Sequence, residues 1–125
     1  MDQDRKPPLF EEHPYLYCLW HLEHNYRTYQ AFRELADRYR EFNPHRTLSA
    51  DMICHVIRFE LGMRNEGDAF HISNNLTSWY ARVYRLEHPE ANFGLRPAWM
   101  SQLTDDQWDE VRDLLRRMKE QHETA

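Results

Sequence analysis

Glycine is scarce in this chain, with three residues (Gly62, Gly67 and Gly94) among 125. So few leave no glycine-rich loop to cradle a phosphate, which disfavours the nucleotide-binding folds built on such loops. Cysteine is rarer still. Cys18 and Cys54 match no zinc spacing and fall inside helix-patterned segments, so they are expected as reduced thiols of an intracellular protein. No apolar run reaches the ~18 residues of a membrane-spanning helix. The opening "MDQDRKPPLFEEHP" lacks the basic, apolar and small-residue order of a signal peptide. The expected setting is the cytoplasm, with no membrane involved.

Aromatics, by contrast, are plentiful at 14%, beside 41% hydrophobic residues, enough for one domain with its own core. The formal net charge is −5 and is unevenly spread. Residues 1–13 carry −2 and residues 100–125 carry −3, while residues 14–99 balance ten acids against ten bases. Acidity at the ends opposes general nucleic-acid binding but leaves a neutral middle, and fourteen of the chain's sixteen bases are arginine, which favours bidentate contacts.

Residues 1–13 read as a flexible arm, since Pro7-Pro8 forbids helix. The rest, 14–125, reads as a single helical domain. Pro14 suits a first helical turn, and residues 14–42 form either one long helix or two broken at Asn25. Tyr26, Tyr29, Phe32, Leu35 or Ala36, Tyr39 and Phe42 supply its amphipathic stripe, and Asn43-Pro44 ends it. Ser49 caps a helix over 49–63 that is apolar almost all round, which marks it as the central one. A third helix, 75–88, is capped by Ser73, Asn74 or Asn75. The last, 104–122, opens with a Thr104–Gln107 capping box and a Leu103–Trp108 staple, with acids in its first turns and bases in its last. "FHI" and "FGLR" allow at most a short two-strand ribbon. The expected fold is mainly α, a compact four- to five-helix single domain, helix-turn-helix-like. Ile53, Val56, Ile57, Trp79, Tyr80, Val83 and Trp108 are its expected core.

On helix 75–88, Leu76, Trp79, Tyr80 and Val83 must face inward. The opposite stripe of Asn75, Ser78, Arg82 and Arg85 is what a major-groove helix presents: an amide for adenine, then arginines for guanine or phosphate. Asn74 and Arg96 join that candidate nucleic-acid set. The same stripe also suits a solvated face whose asparagines only cap. "YLYCLW", residues 15–20, cannot direct six apolar side chains to one core. Tyr15, Tyr17 and Trp20 are therefore candidate partner-binding residues, unless the segment is sandwiched.

Chemistry-bearing patterns are weak. His21 and His24 in "HLEH", with Cys18 a turn earlier, drift by about 60° per step and do not converge on a metal. No serine sits in a G-x-S-x-G elbow, and no cysteine has a motif partner. Glu11-Glu12 and Asp105-Asp106 are explained by solvation and capping. No catalytic residue, metal or cofactor is assigned, and the expectation is a non-enzymatic protein.

From Tyr29 to Arg96, the segments "YQAFRELADRYREF", "LSADMICHVIRFEL", "GDAFHISNNLTSWYARVYRLEHPE" and "FGLR" resemble a group of small proteins encoded by bacteriophages and prophages. That group carries "S-A-x-x-I…I-R-W-E", "F-x-I-N-N-N…Y-A-R-L" and "H-P-E…F-F…R". This chain departs at Phe59, Ser73 and Val83. The resemblance implies a phage setting in the host bacterial cytoplasm, where small helical proteins are often regulators, DNA binders or inhibitors, and it supplies no catalytic residue. The leading expectation is a regulatory DNA-binding protein using the third helix. The alternative is a protein–protein module, such as an inhibitor of a host defence or replication protein. The partner is then DNA or a host protein, with a homodimer also admitted.

Overall fold

The computed structural model describes residues 8–63, 74–95 and 98–123. Five α-helices follow one another: α1 Pro14–His24, α2 Tyr26–Phe42, α3 Ala50–Met63, α4 Asn74–Glu87 and α5 Asp105–Glu123, with a 3-10 turn Trp99–Gln102 before the last. The fold is mainly helical. Among the described residues the only β pairing is an isolated parallel bridge, Leu48 to Phe93. The ribbon expected between "FHI" and "FGLR" falls partly outside the described residues. The chain groups into two compact units, Met1–Tyr26 with Leu103–Ala125, and Arg27–Gln102.

In the first unit, residues 9–13 form a turn in which the Glu12 and His13 amides donate to the Leu9 carbonyl at 3.2 and 2.9 Å. Pro14 then opens α1, where its missing N–H costs nothing. The helix stops at Asn25, whose φ of −133° and ψ of 41° leave the helical region while its amide still reaches the His21 carbonyl. Residues 14–42 are thus two helices. Cys18, His21 and Leu22 of α1 are buried, as are Val111, Leu114, Leu115 and Met118 of α5. The phenol of Tyr15 donates to the Gln107 carbonyl at 3.1 Å and to Glu110, near the start of α5. The phenol of Tyr26 donates to Glu123 and its ring stacks on His122, at the other end. The two helices therefore run parallel. The Thr104–Gln107 capping box forms in full: the Gln107 amide donates to Thr104 Oγ1 at 3.2 Å, and the Thr104 amide to Gln107 Oε1 at 2.8 Å. Trp108 is only half-buried, short of the core position expected for it.

The second unit is organised around α4, not α3. Leu76, Thr77, Trp79, Tyr80, Ala81, Val83 and Tyr84 are all buried, an arc wide enough to pack on two sides. Tyr29 and Phe32 of α2 meet Tyr80 with ring centroids 6.1 and 5.5 Å apart, and Phe32 stacks on Phe93. Ser49 caps α3 through the Met52 amide at 3.2 Å. However, α3 buries only Ile53, Cys54 and Ile57 among its described side chains, and Met52, Val56 and Phe59 are 57%, 38% and 69% exposed. The expectation of a central 49–63 helix is corrected. An all-round apolar helix reads as buried, whereas small and hydroxylated residues (Thr77, Ala81, Tyr84) complete the truly buried one.

Candidate interaction surfaces

The polar stripe of α4 is divided by its surroundings. Ser78 is half-buried and lines a cleft of about 450 Å³ with Thr47, Ser49, Asp51 and Leu95. Arg82 is half-buried too, and its Nη2 donates to Ser101 Oγ at 3.3 Å. Burial, and then the nearby Arg85 charge, lower the Arg82 pKa from its ordinary value. Arg85 is exposed, with a long 3.5 Å contact to the Pro89 carbonyl. Asn74 and Asn75 occupy the first turn of α4; their side chains, and Arg96, lie outside the described residues. The stripe is thus not one continuous face: Arg85 is exposed, Arg82 is bonded to Ser101, and Ser78 opens into the cleft.

A cluster that the sequence did not reveal ties the ends of α2 and α4. The Tyr84 hydroxyl donates to Asp37 Oδ1 at 2.6 Å and accepts from Arg40 Nη1 at 2.9 Å. Arg40 Nη2 reaches Glu90 Oε1 at 2.9 Å. The His88 ring lies against Tyr84, with centroids 4.6 Å apart, and its nitrogens are 3.8 Å from Asp37 and 3.6 Å from Glu90. Burial, with Asp37 accepting its proton, pushes Tyr84 up to about 12. The hydroxyl therefore holds its proton near neutral pH, and its two hydrogen bonds tie the helix ends together. "DRYR" and "HPE" are its sequence traces, but nothing in either string points to the other.

Burial governs both cysteines and one histidine. Burial pushes the Cys18 thiol up to about 12 and the Cys54 thiol up to about 11, and lowers His21 to about 4. Both thiols therefore keep their protons at physiological pH, and His21 is neutral. Among the described residues, no group of three or more His, Cys, Asp or Glu side chains is placed to hold a metal ion. No helix among them is long and apolar enough to cross a membrane.

The face of α1 turned away from α5 is apolar. At 100° per residue, Leu16, Tyr17, Trp20, Glu23 and His24 share one side of the helix, opposite Cys18 and Leu22. Leu16 is 51% exposed and Leu9, in the turn before the helix, 60%. Along this side runs a ladder of rings. Phe10 meets Tyr17 edge-on at 5.7 Å, Tyr17 and Trp20 lie 6.3 Å apart, and Trp20 stacks on His24 at 4.7 Å. The ring of His24 is held by Nδ1 against the Trp20 carbonyl at 2.9 Å. Of the three partner-binding candidates, Tyr17 and Trp20 belong to this ladder, half-buried. Tyr15 points the other way and is spent on α5. Phe10, Leu16 and His24 were missed; the helical period, taken with the buried side of α1, would have found the last two. No protein-family model, curated protein or solved structure matches this chain.

Proposed function

We propose that this protein is a non-enzymatic interaction module that docks on another protein through the outward face of α1. One observation carries the reading: an ordered aromatic ladder, Phe10 to His24, lies beside leucines more than half exposed on a helix whose other side is already filled. Surface aromatics held rigid by their neighbours lose little conformational entropy on binding, which is why Trp and Tyr are enriched at interface hot spots. The phage setting implied by the sequence resemblance makes a host protein the natural partner.

The DNA-reading alternative draws less support. The middle of α4 is buried, Arg82 is bonded to Ser101, and twelve acids against six bases give the first unit a formal charge of −6. Nine acids against ten bases leave the second at +1, too little to drive phosphate binding unaided.

Site-specific photo-cross-linking tests the proposal. A photoreactive side chain at Leu16, in the cell that makes the protein, is expected to yield a discrete polypeptide adduct. The same group at Glu120, an exposed position on α5, is expected to yield none, and Trp20→Ala is expected to abolish the Leu16 adduct. Equal labelling at both positions overturns the reading. So does salt-sensitive retention of duplex DNA that Arg85→Ala removes.

A further inference from the structure

We infer that the segment seated on the α1 face is a basic amphipathic helix, with its lysines and arginines at the end of the face where α1 begins; this rests on the docking role proposed above. The argument is electrostatic. Because α1 and α5 run parallel, both N-termini sit at the same end of the unit, where Tyr15 joins Gln107 and Glu110. Residues 8–13 and 105–113 gather there, with Glu11, Glu12, Asp105, Asp106, Asp109, Glu110 and Asp113 against Arg112 alone, a formal −6. Two helix N-termini contribute only about one positive charge between them. Compensating the helix dipoles therefore accounts for a small part of that acidity. At the other end of α5, Arg116, Arg117 and Lys119 face Glu120 and Glu123, so the charge changes sign along the unit.

The apolar ladder lies inside this gradient. Residues 8–25 contain three acids (Glu11, Glu12 and Glu23) and no lysine or arginine. All three acids are exposed. Glu23 shares the ladder's side of the helix, one turn after Trp20, and Glu11 and Glu12 lie in the turn that carries the Phe10 ring onto Tyr17. A partner helix that covers Leu9, Leu16 and Trp20 must bring its polar edges against these carboxylates. Acidic edges would be repelled, while guanidinium or ammonium groups gain both ion pairing and the faces of Tyr17 and Trp20. The same acidity opposes an anionic lipid surface, whose headgroups attract basic segments.

Peptide titration followed by NMR tests this on the full chain. Two helical peptides of about five turns, each ~27 Å long, carry the same leucine stripe, one with lysine and arginine on its polar edges and one with glutamate. The readout is the indole N–H of Trp20, assigned with Trp20→Phe. The basic peptide is expected to move that signal and to bind at least about tenfold more tightly than the acidic one, with the preference shrinking as salt is raised. Glu11→Gln with Glu12→Gln, changes confined to an exposed turn, is expected to reduce the preference severalfold. Equal affinity for the two peptides overturns the inference and leaves the docking reading standing. No movement of Trp20 with either peptide also overturns it, and the Leu16 cross-link then decides the docking reading separately. Movement with anionic vesicles but not with the basic peptide overturns it in favour of a membrane surface.

Discussion

The two units use their aromatic residues in opposite ways. In Arg27–Gln102, Trp79, Tyr80, Tyr84, Tyr29 and Phe32 are packed out of water around α4, and the polar atoms of Tyr84 are bonded on both sides. In the unit formed by α1 and α5, Tyr26 is buried, but Tyr17 and Trp20 are stacked in a line on the outside of a helix only eleven residues long. The first arrangement serves stability. The second lines large rings up along the outer side of a helix, the arrangement on which the docking proposal rests. Comparable residues therefore carry different meanings according to which side of their helix is already occupied.

The sharpest test of this contrast pairs two tryptophans. Trp79→Ala removes a fully buried side chain and is expected to cost about 3–5 kcal/mol in chemical denaturation. Trp20→Ala is expected to cost clearly less, about 1–2 kcal/mol, because the ring is only partly covered. Similar losses at the two sites would break the comparison, because Trp20 would then be core.

A pH series sharpens it from the other side. His21 is buried beneath the ladder, and burial lowers it from 6.5 to about 4. Between those values the unfolded chain binds a proton that the folded chain refuses. Stability is therefore expected to fall as pH drops through 6.5 and to level off near 4, by up to about 3 kcal/mol. Measured as the difference between wild type and His21→Gln, the fall should vanish in the variant; an identical pH dependence in both proteins would remove the buried neutral imidazole.

The smallest expected effect is at the Asp37–Tyr84–Arg40 tie. Tyr84→Phe deletes one hydroxyl bonded on both sides and is expected to cost about 1–2 kcal/mol, seen as a lowered urea midpoint with an unchanged slope. A neutral result would mean that the cluster is solvated and does not tie α2 to α4.

What the sequence made legible was local. The capping box at Thr104 and Gln107, the stop at Asn43-Pro44 and the Ser49 cap depend on residues three or four apart, and each forms. The break at Asn25 had two readings because an asparagine can cap or continue, and the turn of its backbone decides. The rank of α3 and α4 was not legible, since burial is set by neighbours from elsewhere in the chain. Val56 is apolar yet 38% exposed, while Thr77 is polar and buried. The Arg40–Tyr84 contact, 44 residues apart, left no local trace. On α1, the aromatic run at 15–20 was visible, but only the direction of Tyr15 separates the outward residues from the inward ones.

The parallel pairing of α1 with α5 also shapes how the chain folds. Its two phenol ties span 92 and 97 residues of sequence, whereas the Tyr29–Glu87 hydrogen bond of the other unit spans 58. Loop-closure entropy rises with that span, and long-range contacts slow folding. During synthesis, Cys18, Leu22 and Tyr26 emerge well before their partners on α5. Until α5 has been made, the side of α1 that carries Cys18 and Leu22 has no α5 to cover it, so both apolar sides of this short helix face water at once.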